Sequence, residues 1–442
     1  MKITRLLAVS TVAALALAGC GGSSSPSEPA SDGAAAAPSS SAGAQTGGGD
    51  KVKVRLWLNG TDTPQPIRDY LKTTFEKENP NAELVIEQQV WDGLVDKLTT
   101  ALSGSDSPDV VEVGNTQAVA FTSAGAFEDI TDKKAELGGD DLLKGFVDAG
   151  TYDGKFYAAP YYAGSRLVFY RKDLFKAAGI SGTPTTLDEY IADGAKLKAA
   201  SKTKGFSGLW WPGQDWRNAL PFIWATGGDV ATEKDGTWTG TLESPESVKG
   251  LKMVQKAMTE DSAAAKDGQE TDPQVPYCAN QVGMLSAPGW VAGSILAPKD
   301  KGGCPDAKAN LGVFALPGLT ADKTAPVFLG GSNLGISAKS QHKDLAYALL
   351  KDILSDGYQS QMAKAGLVPA KTSLVKDMGT DEVAQATAKA VTNTKLTPAA
   401  PGWANVEADK IMEDLFVKIA GGGDVASLAK AADAKITDAL NR

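Results

Sequence analysis

Apolar and polar residues alternate from residue 51: Val52, Val54, Leu56 and Leu58 are interleaved with Lys51, Lys53, Arg55 and Trp57. That is the period of a strand with one buried face, and Asn59-Gly60 ends it. The spacing of Ile67, Tyr70, Leu71 and Phe75 predicts a helix stopped by Asn79-Pro80. Ala82 to Glu87 reads as a second strand. Trp91, Leu94, Val95, Leu98 and Leu102 form a helical stripe, and Asp109 to Val113 reads as a third strand. A β-α-β-α-β order predicts a largely parallel α/β sheet. Ligands of such sheets sit beyond the carboxyl ends of the strands, which points to the loops Asn59 to Thr63 and Gly114 to Gln117. A second α/β block starts at Arg166-Leu167-Val168-Phe169-Tyr170. Leu345, Leu349, Leu350 and Ile353 mark a later amphipathic helix, and no internal repeat is visible.

Before residue 51 the pattern changes. Lys2 and Arg5 precede an apolar run from Leu6 to Leu17, which ends in Leu17-Ala18-Gly19-Cys20. This has the layout of a secretory signal peptide over residues 1–19. The stretch around Cys20 resembles a bacterial lipobox, in which that cysteine is acylated and becomes the first residue of the mature chain. The alternative is an ordinary signal peptide with an incidental cysteine. Residues 20–50 are almost all Gly, Ser, Ala and Pro, too poor in apolar surface to order themselves. Such a coil reaches about 30 Å root-mean-square and would tether a folded body to a membrane. That body is longer than a single core usually grows, so two lobes are expected.

Charge and cysteine content narrow the partners. The formal net charge is -9, and loss of Lys2 and Arg5 with the signal peptide takes it to -11. No basic stripe stands out, which argues against nucleic acid, and no later stretch is apolar enough to span a membrane. Outside the cytoplasm disulfides persist. Cys278 and Cys304 are therefore expected to pair, closing a loop of about 27 residues worth roughly 3 to 4 kcal/mol; two inert thiols are the alternative. With one histidine, His342, neither a transition-metal site nor a His-dependent triad is expected. Gly330-Gly331-Ser332-Asn333-Leu334-Gly335-Ile336-Ser337 has the glycines of a phosphate loop, but Ile336 stands where the lysine belongs. No cofactor is implied. Carboxylates are plentiful, so a glycosidase pair is not excluded by composition.

Four of the nine tryptophans, Trp210, Trp211, Trp216 and Trp224, crowd one stretch with Gln214, Asp215, Arg217 and Asn218. Flat rings beside planar polar side chains suit a pyranose, which offers a C–H face and a fringe of hydroxyls. Trp216 is expected in such a site before Trp224, whose neighbours Pro221-Phe222-Ile223 read as packed helix. Trp211 stands between platform and core.

The stretches SDSPDVVEVGNTQAVAFTSAGAFEDIT, GKFYAAPYYAGSRLVFYRKDLFKAAGI, PFIWATGGDV, NQVGMLSAPGW, PVFLGGSNLGISAKSQHKDLAYALLKDILSD and PAAPGWANVEADKIMEDLF, in that order behind a lipobox, resemble the bacterial extracellular solute-binding proteins of carbohydrate ABC importers. The resemblance covers nearly all of the chain from Lys51. It implies a two-lobed, periplasmic-binding-protein-like α/β fold with three inter-lobe crossings and a ligand cleft between the lobes. The implied parts are 51–159 for the first lobe, 160–310 for the second, 311–354 for a hinge strand and the rest of the first, and 355–442 for the rest of the second. It implies a non-enzymatic, monomeric receptor, anchored by lipid on the extracellular face of the cytoplasmic membrane, that hands a mono- or oligosaccharide to permease subunits. Rival readings are a peptide, polyamine or polyol receptor, or a secreted glycosidase or sugar lyase. By resemblance, Asn115 and Gln117 stand where relatives bind hydroxyls, Asp215 and Arg217 match a polar pair that contacts sugar, and Trp290 and Trp403 match stacking aromatics. Gly331, Ser332 and Asn333 would bring backbone to the ligand. Asn59, Asp62, Trp91, Tyr162 and Arg166 complete the candidate set. Val113 and Thr116 stand where maltodextrin binders carry a stacking aromatic and an acid, which leaves the saccharide open.

Overall fold

The computed structural model describes residues 51–442 apart from residue 92. The signal segment 1–19, Cys20 and the tether lie outside the described residues. The first strands and helices follow the sequence pattern: β1 (Val52–Asn59), α1 (Gln65–Glu78), β2 (Ala82–Gln89), α2 (Leu94–Ser103), β3 (Val110–Gly114) and α3 (Ala118–Ser123). β1 pairs in parallel with both β2 and β3. Trp57, on the side of β1 expected to be polar, is buried with Leu94 and Leu98, because helices cover both faces of this sheet. The expected buried stripe loses two members: Gly93, at φ 68°, holds the turn before α2 and leaves Trp91 outside the helix, and Val95 faces outward, so Leu94, Leu98 and Leu102 carry the buried face.

Then comes β4 (Ala158–Arg171), a strand of fourteen residues. It is followed by β5 (Ser207–Trp210), the short α4 (Leu220–Ala225), β6 (Val282–Pro288), β7 (Leu311–Phe314) and β8 (Val327–Ile336). The chain ends with α5 (Lys343–Ile353), α6 (Asp356–Lys364), β9 (Val368–Pro369), β10 (Thr394–Lys395), α7 (Trp403–Ala408), α8 (Ile411–Ala420) and α9 (Val425–Leu440). The strands run β2-β1-β3-β8-β4-β6-β5, with β7 and β9 on β4 and β10 on β8. The expected parallel sheet holds on the β2-β1-β3 side, between β6 and β5 and between β8 and β10, but β8 pairs antiparallel with β3 and β4, and β4 antiparallel with β6, β7 and β9.

β4 joins two cores. Its first half packs with β1, α1, α5 and α6 through Ala159, Tyr161, Leu71, Phe75 and Leu349. Its second half, Leu167 to Phe169, belongs to a larger core with Trp216, Phe222, Met284 and Phe416. Tyr358 and Met362 of α6 also lie in the first core, beyond the position, Ser355, at which the sequence-based division passes to the second lobe. Cys278 and Cys304 are bonded as expected, with Cα atoms 5.5 Å apart.

Candidate functional site

The middle of the sheet forms a floor. Ser332 of β8 stands opposite both Gly114 of β3 and Tyr162 of β4, and Gly330 stands opposite Gly164. Side chains alternate along a strand, so these five share one face. Glycine at 164 is required by a neighbour: a Cβ there would come within 2.1 Å of the Trp290 ring. The indole of Trp290, just past β6, thus rests on bare backbone and stays 47% exposed.

One wall is built on the β1–α1 loop. Arg68 of α1 donates to the carbonyls of Gly60 and Thr63 and so fixes the loop. That sets Asp62 to accept hydrogen bonds from the Trp91 indole at 3.1 Å and the Tyr162 hydroxyl at 3.0 Å. Trp91 is 41% exposed and lies against Gly114. Beneath, Asn59 is buried and gives its backbone N–H to Glu112 Oε2 at 2.7 Å. Burial pushes Glu112 up to about 7, against the pull of that amide. Glu112 Oε1 and the Ser332 hydroxyl are buried without a hydrogen-bond partner.

On the side of the larger core, Arg166 is buried two residues along β4 from Gly164. It forms a bidentate pair with Glu270, donates to Asn218 at 2.8 Å and lies 3.7 Å from Asp215. Burial works to lower the Arg166 pKa, but the charges of Glu270 and Asp215 hold it raised. Burial, then the Glu270 charge, pushes Asp215 up.

Between the two cores stands Glu407 of α7. It accepts from Gln117 and, at 3.3 Å, from Thr116, both on the loop after β3. The Trp403 indole donates to its other oxygen at 3.2 Å, and Arg217 lies 4.0 Å away while covering the Trp216 ring at 4.4 Å. Trp216 and Trp403 meet edge to face at 6.0 Å.

The structure brings Asp62, Trp91, Gln117, Arg217, Trp290 and Gly331 to partly or fully exposed positions around the floor. Asn59, Tyr162, Arg166, Asp215 and Ser332 lie beneath or within it and are buried, and the remaining expected contacts are enclosed elsewhere. Trp216 and Trp403 are 0% exposed, enclosed by apolar neighbours of the larger core, and Trp211 packs on Phe222 with its N–H on the Asp215 carbonyl. Asn115 and Asn333 spend their side-chain amides on main-chain carbonyls, of Leu329 in the first case and of Phe146 and Ala158 in the second. Sequence reasoning missed Glu112, Glu270 and Glu407. An acid inside the apolar run Val110-Val111-Glu112-Val113 was a readable signal, and Glu407 lies one helical turn from Trp403; Glu270 had none. Among the described residues, no cluster of His, Cys, Asp and Glu is placed to hold a metal ion.

Residues 59–360 match the family model of the bacterial extracellular solute-binding proteins. The diacetylchitobiose binding protein DasA of Streptomyces coelicolor is 34% identical over 371 residues, which cover 83% of this chain and 84% of that one. The maltodextrin-binding protein MdxE of Bacillus subtilis is 25% identical over 379 residues, 83% and 85% of the two chains. The solved structure of the sugar-binding protein MalE from Xanthomonas citri superposes with a TM-score of 0.77 at 22% identity, covering 88% of this chain and 98% of that one.

Proposed function

Because the chain belongs to the bacterial extracellular solute-binding proteins, a family of receptors and not of enzymes, we propose that it binds a mono- or oligosaccharide over the floor of Gly114, Ser332, Tyr162 and Gly164 and delivers it to an ABC importer. One observation carries this reading. Trp91 and Trp290 are both half exposed and rest on glycines of the same sheet face, with Asp62 and Tyr162 between them. Two indoles supply platforms for sugar C–H faces, and the carboxylate and phenol supply partners for hydroxyls. The sugar-binding names of the relatives favour the same ligand class.

The site residues, the lobe division and the anchor are parts of this proposal. The first lobe takes 51–159 and 311–354, the second 160–310 and 355–442, and the packing of Tyr358 and Met362 favours extending the first lobe through α6. Lipidation at Cys20 would hold the receptor on the outer face of the membrane as a monomer. No helix among the described residues is long and apolar enough to cross a membrane.

Thermal melting of the purified protein against N,N′-diacetylchitobiose, maltodextrins, other saccharides, polyols, peptides and polyamines tests the ligand class. A ligand that binds only the folded form at a hundred times its Kd adds about 2.7 kcal/mol. A shift with a small group of saccharides, lost in W91A and W290A, is the expected result. A shift only with a peptide or polyamine overturns the sugar reading.

A further inference from the structure

Glu407 is not the only contact α7 makes with the first lobe. Ala404, one turn earlier on the same helix face, closes one side of a separate cavity of about 510 Å³ between α2 and α3. Val95, Leu102, Ala120, Phe121 and Ala124 give its wall apolar side chains, and Gln117, which bonds Glu407, lines it too. The cavity therefore adjoins the proposed sugar floor at the bridge between the lobes.

Its lining is unsuited to another sugar unit. Thr99 and Ser103 are the only hydroxyl side chains there, and both already donate to carbonyls of α2 itself, Thr99 to Val95 at 2.8 Å and Ser103 to Thr100 at 3.0 Å. Gln117 is engaged, which leaves Lys339. The oxygens of Thr99 and Ser103 can still accept, but with their protons spent most hydroxyls of a sugar unit lodged among these side chains would lack partners, whereas an apolar group would remove the alanine, leucine and phenylalanine surface from water. Its volume lies in the range of small-molecule sites.

We infer that this cavity is a subsite for an apolar substituent carried by the sugar, an aryl or alkyl aglycone that passes Gln117 and is clasped between α2, α3 and Ala404. This rests on the sugar-receptor reading above.

The test is calorimetric titration of the full chain with N,N′-diacetylchitobiose, maltose and cellobiose, and with the 4-nitrophenyl glycoside of each. Wild type is compared with Ala120→Trp, which fills the cavity, and with Val95→Glu, which puts a charge on its exposed wall without touching the core. The expected result is an aryl glycoside bound about tenfold tighter than its parent sugar, with the gain lost in both variants and the parent affinity unchanged. Equal affinities in wild type, or a gain that survives both variants, overturn the subsite while leaving the receptor reading intact. No binding by any sugar or glycoside overturns the receptor reading, and the subsite with it.

Discussion

Glu112 shows what a single buried acid does under a binding floor. Its carboxyl is raised from 4.5 to about 7 by burial, so the folded state holds the proton more tightly than the unfolded chain. Stability from this group is present below pH 4.5 and is lost as pH rises through 7, a change on the order of 3 kcal/mol at 1.36 per pH unit. Asp215, also raised, acts in the same direction. Replacing Glu112 by Gln keeps an acceptor for the Asn59 amide and removes the titration. Urea midpoints measured at pH 5 and pH 8 should fall with pH in the wild type and fall much less in E112Q; parallel slopes would show that Glu112 does not titrate in this window. At this scale the sequence was informative about residue types and less so about their surroundings. Asp62 lies in a loop at the carboxyl end of a strand, where ligands of such sheets sit, whereas Trp290 could be proposed only through the family resemblance. The enclosure of Trp216 and Trp403 depends on contacts between segments far apart in the chain, with Phe328 and Phe416, which residue spacing does not encode.

Two neighbouring glycines of β8 test how the crossing strands are built. Gly331 has φ 146°, and a Cβ there would meet the Tyr162 carbonyl oxygen at 2.2 Å. At Gly330 the nearest atom is the Phe328 ring at 3.5 Å, an ordinary contact. Backbone strain and the clash together should make Gly331→Ala cost about 2 kcal/mol or more, while Gly330→Ala stays within about 1 kcal/mol. Denaturant midpoints of the two variants should therefore differ clearly, and equal midpoints would mean that β8 can move away from β4. The irregularity lies where the register slips between Ser332 and Asn333, leaving Tyr161 without an opposite residue on β8. Regular elements were legible, since α1 and the start of β1 follow their apolar periods and β3 is a short apolar run bounded by Pro108 and Gly114. β4 was legible only from Arg166: burial runs unbroken from Ala158 to Phe169, so neither half alternates, and the small residues, proline and tyrosines of Ala158 to Ser165 do not form an apolar run as Leu167-Val168-Phe169 does. The antiparallel pairing of β8 with β3 and β4 was hidden for a related reason, since it depends on a partner about two hundred residues away.

For the whole molecule, the proposed function requires that the two cores move as bodies, and Glu407 is a contact through which that motion can be read. It belongs to α7, whose Trp403 and Val406 lie in the larger core, yet it accepts from Thr116 and Gln117 beside the smaller one. Hydrogen bonds to a charged group are worth roughly 1.5–3 kcal/mol each, and a closure equilibrium shifts by the differential energy between its two states. Glu407→Ala should therefore favour the open form, increase the radius of gyration in small-angle scattering without ligand, and weaken sugar binding by about tenfold for each 1.4 kcal/mol lost. The paired readout separates two roles for one residue. Weaker binding with an unchanged radius of gyration would mean that Glu407 serves the ligand directly. A larger radius, restored to the wild-type value by saturating sugar, would mean that it acts as a latch, because the ligand then supplies the closing energy that the bridge no longer provides.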